Sequence, residues 1–501
     1  MSTCVTKQAE IWKGKLKPGD VIVSNHPEFG GTHLPDITVV TPAFNGNDII
    51  FYVASRAHHA DIGGILPGSM PPHSRELFQE GAAIKSEKLV SEGHFNEKRI
   101  TELLYDEPAK YPECSGTRCL ADNLNDLKAQ IAANQKGINL ISALISDYTE
   151  PVVQFYMHNI QLNAALSVRN LLKSISHRFP SPLTATDHMD DGSPIALKIT
   201  IDATLGTATF DFTGTGPEVY ANTNAPRAIT YSAIIYCLRA LISADIPLNQ
   251  GCLTPIRVLI PPSSFLSPSS TAAVVGGNVL TSQRVTDVIL RAFSACAASQ
   301  GDCNNLTFGF GGNPSTSNSP IKGFGYYETI AGGSGAGPTW DGTSGVHTHM
   351  TNTRITDAEV FERRYPVILR EFSLRTGSAG NGLHKGGEGV IRDIEFRIPV
   401  TVSILSERRV YHPYGLEGGE DAQCGVNYWV RRVKGEGERW INLWGKNTAS
   451  MGVGERIVVC TPGGGGWGVK GGERKVQGGR DERVGWRKGS LAARAEAQET
   501  V

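Results

Sequence analysis

No stretch of this 501-residue chain reaches 18 consecutive apolar residues, the length a helix needs to cross a bilayer, so no membrane span is expected. Its first residues have no apolar h-region, so no secretory signal is read either. Charge of one sign is also missing. Lys and Arg number 48 against 49 Asp and Glu, a net charge of −1, which gives no pull toward nucleic acid or an anionic surface. The nine cysteines (4, 114, 119, 237, 252, 296, 303, 424 and 460) never take CxxC spacing. They read as reduced thiols of a cytoplasmic protein rather than as a disulfide framework. A Walker-type Gly-Lys-Ser/Thr loop is absent, so the chain has no nucleotide site of that kind. Internal repeats are absent as well. What is present is a globular composition, 40% apolar and 19% charged, long enough for two to four domains or one large composite unit.

The most informative stretch runs from Asn25 to Gly64. Two runs rich in β-branched and aromatic residues, Ile37–Phe44 and Ile49–Ser55, flank Asn45-Gly46-Asn47-Asp48. Asn-Gly between such runs predicts a β-hairpin. Pairing Phe44 with Ile49 sets Asp36 opposite Ala57 or His58, where cross-strand side chains stand roughly 5 Å apart. His33 sits in Gly30-Gly31-Thr32-His33-Leu34-Pro35, a bent loop that can return its imidazole to the hairpin mouth. One carboxylate and two imidazoles there suit a divalent ion such as zinc or manganese. His59 and Asp61 lie alongside as reserve ligands. The plainer reading of all these residues is turn capping.

Along the rest of the chain, residues 1–20 read as a polar, ragged segment. Gly63–Pro72 is too rich in Gly and Pro for regular structure and reads as an ordered loop over the hairpin mouth. Glu80 is either a supporting acceptor or a solvated loop-end carboxylate. Asn96–Tyr105 predicts a short helix. Two long helices follow, from Ala121 and through Val152–Ile175, with Pro151 at a helix start. Gln130, Asn134 and Asn163 among them read as buried structural amides. Ile195–Phe212 alternates as a second hairpin, and helices are expected over Ile229–Ala244 and Ser282–Ser299. Gly276-Gly277-Asn278, at the start of the latter, offers N–H groups and an amide to a substrate carboxylate. His347 and His349, spaced by two, share a face if their segment is a strand. That places them as substrate-facing or packed residues, or as a second metal site. Strands are expected at Val367–Leu374, Val390–Ile398 and Thr401–Ser406, with Arg408 and Arg409 after them as solvated surface. Beyond Gly468 the mixed-charge, Gly-rich sequence reads as a disordered tail.

The expected fold is α+β, a large composite mixed α/β unit over residues 1–468. It divides into a metal-hairpin region (1–120), a helical region (121–180), a mixed region (181–300), a Gly-rich and β-rich region (301–468) and the tail (469–501).

Several motifs in order resemble the hydantoinase B/oxoprolinase family, which includes the C-terminal half of 5-oxoprolinase. They are Pro18-Gly19-Asp20, Gly30–Asp36, Ser55–Gly64, Pro67–Pro72, Asp126–Asn134, Asp211–Thr215, Gly276–Asn278 with Thr281–Arg284, and Thr461–Gly468. The resemblance implies metal ligation by His33, Asp36 and His58, with a further Asp ligand on a segment upstream of residue 1. Asn25-His26-Pro27 stands where the family has Asn-Asp-Pro. It implies a half-enzyme that opens a cyclic amide after a separate, hydantoinase A-like half has spent ATP to phosphorylate its carbonyl. His59 and Asp61 are then candidate proton acceptors, and Gly277, Asn278, His347 and His349 candidate substrate contacts. The expected reaction is 5-oxo-L-proline to L-glutamate, in glutathione metabolism, by a homo- or hetero-oligomer. The alternatives are a hydantoinase, an ATP-dependent ketone carboxylase subunit, or a truncated non-catalytic scaffold.

Overall fold

A computed structural model describes residues 1–179, 181–242, 245–311, 323–433, 435 and 437–472. The expected tail lies almost wholly outside these residues. The chain opens with α1 (Ser2–Ile11), then β1 (Val21–Ser24), β2 (Asp36–Asn45), β3 (Asp48–His58), β4 (Glu87–Ser91) and β5 (His94–Phe95). These strands form one sheet in the order β3-β2-β1-β4-β5. The short helix α2 (Glu97–Thr101) precedes two 29-residue helices, α3 (Leu120–Tyr148) and α4 (Glu150–Arg178). A second sheet takes β6 (Leu183–His188), β7 (Pro194–Asp202), β8 (Thr207–Asp211) and β9 (Ile256–Leu259), with α5 (Arg227–Leu241) and α6 (Ser282–Ala292) against it.

The C-terminal part contains β10 (Asn305–Phe310), β11 (Phe324–Glu328), α7 (Ala358–Arg364), β12 (Val367–Arg375), β13 (Gly389–Phe396), β14 (Val400–Leu405), β15 (Val426–Val433), β16 (Gly437–Asn442), β17 (Lys446–Met451) and β18 (Arg456–Cys460). They form two sheets, β11-β10-β14-β17 and β12-β13-β18-β15-β16. Their inner faces share one core in which Phe308, Phe361 and Phe396 are fully buried. The fold is thus the mixed α/β composite that the alternating sequence patterns predict. All nine cysteines are free, and among the described residues no helix is long and apolar enough to cross a membrane.

The two long helices divide their loyalty. The inner end of α3 buries Asn123, Leu127, Gln130 and Asn134 against β2 and β3, whereas α4 buries Ala164, Val168, Leu172 and Ile175 in the central core. The amides do what a buried amide must: Gln130 Nε2 donates to the carbonyls of Ile37 and Ser55, and Asn134 Nδ2 to that of Val39. Asn163 departs from expectation. It is exposed, one position outside the stripe through Ala164 and Val168.

Two further expectations are overturned. Residues 1–20 are not ragged, since α1 docks through fully buried Cys4 and Gln8, and Gln8 Nε2 donates to the Lys85 carbonyl. Arg408 and Arg409 are not solvated but lie inside the molecule. Arg408 Nη2 meets Asp187 at 2.7 Å and Asp287 at 3.2 Å, and Arg409 Nη1 meets Asp302 at 3.0 Å. Sequence polarity favours surface, but a charge can be buried where partners neutralise it. Removing one partner of such a set strands the others. Arg408→Met is therefore expected to cost ~3–5 kcal/mol in urea denaturation at neutral pH; a loss below ~1 kcal/mol would show the ion pairs to be dispensable.

Candidate metal centre

The hairpin mouth is set by a β-bulge. Phe44 pairs with Ile49 as predicted, but the register shifts between Ala43 and Phe44, and from there Ala43 faces Phe51 and Asp36 faces His58. Ile50 is the extra residue. Without it, uninterrupted pairing would put Ala57 opposite Asp36. The bulge therefore decides between the two partners that sequence spacing left open.

The loop that returns His33 is held by close backbone contact. A Cβ on Gly31 would lie 1.9 Å from the Asn25 carbonyl oxygen, so only glycine fits there. Asn25 then pins both sides, its Nδ2 donating to the carbonyls of Leu34 and Ala82 and its Oδ1 accepting from Ile84 N–H. His26 accepts from Glu28 N–H and caps the short turn Pro27–Phe29. A backbone turn from His33 to Asp36 and a bond from His59 N–H to the Pro35 carbonyl close the mouth.

His33, Asp36 and His58 each offer a ligand atom, all within 4.8 Å of one another. His33 Nδ1 stands 3.4 Å from Asp36 Oδ2. His33 Nδ1 and His58 Nε2 are buried with no hydrogen-bond partner. Buried polar atoms left unpaired are costly, so two of them aimed at one carboxylate fit a cation. Two imidazoles and a carboxylate also match three-ligand sites that keep an open position. Burial, then the His33 ring, pushes the His58 imidazole down to about 4, which keeps its lone pair free at neutral pH. Burial would raise Asp36, but His33, then His58 and Arg56, outweigh it and hold the carboxyl well below the usual range. The Asp36 side chain keeps 19% exposure, the opening of the site to solvent.

Residues far away in sequence complete the surroundings. Tyr327 of β11 stacks on His58 with ring centroids 4.5 Å apart and planes at 14°. Asn305 Nδ2 donates to its hydroxyl at 2.7 Å. Asn278 lies in a π-helical turn, Gly277–Thr281, and its Nδ2 is 3.5 Å from His33 Nε2. A half-turn of the amide exchanges its nitrogen and oxygen, and with Oδ1 toward the ring it would accept Nε2–H and free Nδ1 for a cation. Glu80 is buried, not solvated. It accepts from Ser74 Oγ and from Val274 and Val275 N–H, which holds the segment leading into Asn278. Tyr327 and Asn305 had no signal in the sequence, because nothing local ties them to His58.

Other expected site residues are placed elsewhere. His59, next to His58 on the chain, points to the opposite side. Its Nδ1 accepts from Asn123 Nδ2 and its Nε2 faces Gln130 Oε1, so neither nitrogen is free to take a proton. Asp61 is likewise consumed by the N–H groups of Gly63 and Gly68 and by Arg118. Both are framework rather than proton acceptors. Gly277 cannot hold a carboxylate, since its N–H serves Val274 and Asn222 carbonyls and its Cα packs against Asn224. His347 and His349 do not lie on a strand and do not face one way. His349, at φ 61°, bonds Asp287 and Tyr236. His347 Nε2 stands 3.4 Å from the hydroxyl of Thr329, two residues on from Tyr327, and its Nδ1 is left unpartnered.

The sequence model of a family described as Hydantoinase B/oxoprolinase matches residues 1–470. The 5-oxoprolinase of Saccharomyces cerevisiae is 58% identical over 477 residues, covering 93% of this chain but 37% of that protein. The chain thus spans little more than a third of that relative's length. Among solved structures, the ATP-dependent caprolactamase of Pseudomonas jessenii superposes with TM-score 0.81 at 22% identity, covering 93% of this chain and 80% of that one. A nucleotide-free acetone carboxylase gives 0.79 at 16% identity, covering 92% and 66%. These two show a shared fold.

Two measurements test the site. Tyr327→Leu, which removes the stack, is expected to weaken zinc or manganese binding ~10–100-fold in equilibrium titration, while Tyr327→Phe keeps it; equal affinities in all three proteins would detach Tyr327 from the centre. Burial pushes the Glu80 carboxyl up to about 7, against the three bonds it accepts. A raised carboxyl favours the protonated fold, so its contribution is present below pH ~4.5 and lost as pH rises to about 7. The stability difference between wild type and Glu80→Gln should shift in the variant's favour over that window and be flat above it. A difference unchanged from pH 4.5 to 7 would refute this.

Proposed function

The chain belongs to the hydantoinase B/oxoprolinase family, and on that premise we propose that it is the ring-opening half of an ATP-dependent cyclic amidase. The substrate proposed is 5-oxo-L-proline, opened to L-glutamate. The observation that carries this reading is the pair of orphaned imidazole nitrogens converging with Asp36 at the hairpin mouth. The 58% identity to a 5-oxoprolinase supports the choice of ring.

An amide carbonyl is a poor electrophile, and phosphorylating its oxygen turns that oxygen into a leaving group. With no Walker-type loop in the chain, that step is assigned to a hydantoinase A-like, ATP-binding half. Ring opening is then assigned to this chain. His33, Asp36 and His58 would hold a zinc or manganese ion, which when bound supplies Lewis acidity and lowers the pKa of a water. Asp36 stays ionised and His58 stays neutral, so neither competes with the ion by binding a proton near pH 7. Asn278 orients the His33 ring, and Tyr327 fixes the plane of His58. The unpartnered Nδ1 of His347 would contact the substrate's polar edge.

A second reading, part of an ATP-dependent ketone carboxylase, is favoured by the fold shared with acetone carboxylase. One experiment separates them. The chain, loaded with zinc or manganese and mixed with a hydantoinase A-like half, is assayed for glutamate from 5-oxoproline and for bicarbonate fixation on acetone. Glutamate formation that needs ATP and falls at least ~100-fold in His58→Ala is expected. Carboxylation without ring opening would replace the proposal with the second reading. A metal content of zero after loading would remove both.

A further inference from the structure

The strand that delivers His58 also delivers a guanidinium, two residues earlier. Arg56 pairs with Thr38 as His58 pairs with Asp36. Residues two apart on a strand share a face and stand roughly 6.5 Å apart. Arg56, Thr38, Asp36 and His58 therefore occupy one face of the hairpin, the side away from α3. Arg56 Nε donates to Thr38 Oγ1 at 2.7 Å, and its Nη2 donates to the Gly30 carbonyl at 3.2 Å. These bonds fix the plane of the guanidinium, and neither acceptor carries a charge.

Fully buried Arg284, Arg392 and Arg408 each meet a carboxylate. Arg56 is half-buried and, among the described residues, forms no ion pair. A guanidinium has more N–H groups than those two bonds use. Its charge also works against the neighbouring centre. A divalent ion held by this chain's Asp36 and two neutral imidazoles keeps a net positive charge, and Arg56 sets a like charge beside it. A centre that only held a cation would gain nothing from that arrangement. One that holds a cation and an anionic ligand together does gain, because a planar guanidinium meets oxyanions with paired N–H bonds. The opening at Asp36, whose side chain is 19% exposed, gives such a ligand a way in.

We propose that Arg56 is the residue that receives an oxyanion of the substrate beside the metal centre. The proposal rests on the amidase reading above and adds a substrate contact to it. Two groups supply that chemistry, the carboxylate of the ring and the phosphoryl group left on it by activation. In 5-oxoproline the carboxylate and the carbonyl to be opened sit on the two carbons flanking the ring nitrogen. One end of the ring can then lie at His58 and Asp36 while the other meets Arg56.

The test is calorimetric titration of the full chain, loaded with manganese, against three probes. They are 5-oxo-L-proline, 2-pyrrolidinone (the same ring without a carboxylate) and inorganic phosphate. Arg56→Met is expected to lose ~10–100-fold in affinity for the anion, while its manganese affinity is unchanged or raised because a like charge is gone. Arg56→Lys, which keeps the charge but not the fork, retains part of the anion affinity. Circular dichroism confirms that each variant is folded. A wild-type preference for 5-oxoproline over 2-pyrrolidinone that disappears in Arg56→Met assigns the ring carboxylate. Phosphate binding that depends on Arg56, without that preference, assigns the phosphoryl group. A wild type that holds neither anion more tightly than the neutral ring overturns the proposal without any variant. Anion affinities indifferent to Arg56 overturn it as well. So does a manganese affinity that falls in step with anion affinity in both variants, which would make Arg56 a brace for the Gly30 loop. A wild type that never loads removes the amidase reading and this proposal together. A loaded chain that binds anions through Arg56 but yields no glutamate with its ATP-binding half removes the amidase reading alone.

Discussion

Everything at the hairpin mouth depends on one register. In an antiparallel pair a slip of one residue sends every side chain to the other face, and the β2–β3 ladder contains such a step by design. The extra residue at Ile50 brings His58, rather than Ala57, opposite Asp36. It also sends His59 to the far side, where α3 waits. A single bulge thus assigns two adjacent histidines to two tasks. His58 keeps an orphaned nitrogen toward Asp36, while His59 spends both nitrogens on Asn123 and Gln130.

The far side is what makes the register hard to lose. Asn123 also donates to the Asp61 carbonyl, and Gln130 to the carbonyls of Ile37 and Ser55, one on each strand of the hairpin. Helix α3 therefore reads the ladder from behind and would leave these amides unsatisfied if β3 slid. Asp61 anchors the next loop to Arg118, and Gly68 at the end of that loop packs on Thr307 of β10. Through that contact the first sheet and the β10–β11 hairpin are fixed together, and Tyr327 arrives over the His58 ring.

How much of this was legible follows from the range of each interaction. The hairpin, the loop glycines and the triad of His33, Asp36 and His58 are local, and their spacing carries the geometry. The two long helices and the Ile195–Phe212 hairpin are periodic and were equally plain. The bulge was not, because a β-branched run gives no mark of which residue is left unpaired. Tyr327 and Asn305 were invisible for another reason: 269 residues separate Tyr327 from His58, and only the packed loop joins them. Arg408 and Arg409 misled because burial of a charge is decided by partners elsewhere, here Asp187, Asp287 and Asp302. His59 and Asp61 misled in the opposite sense. Their neighbourhood suggested chemistry, but both side chains are satisfied by structure.

That division has a consequence for how the site can be built. Three candidate ligands come from within 26 residues of one another, so a peptide spanning the hairpin contains all three. It does not contain what makes the donors a site. Desolvation is the leading cause of the lowered His58 imidazole, and the cover comes in part from Tyr327, while the His33 ring is oriented by Asn278. An exposed His-x-x-Asp turn would hold a cation weakly and solvate it. The 270 residues from the end of β3 to the end of β11 supply that cover and that orientation. A change in β11 at Tyr327, or in the π-helical turn at Asn278, therefore alters the surroundings of the candidate ligands without touching the ligands themselves.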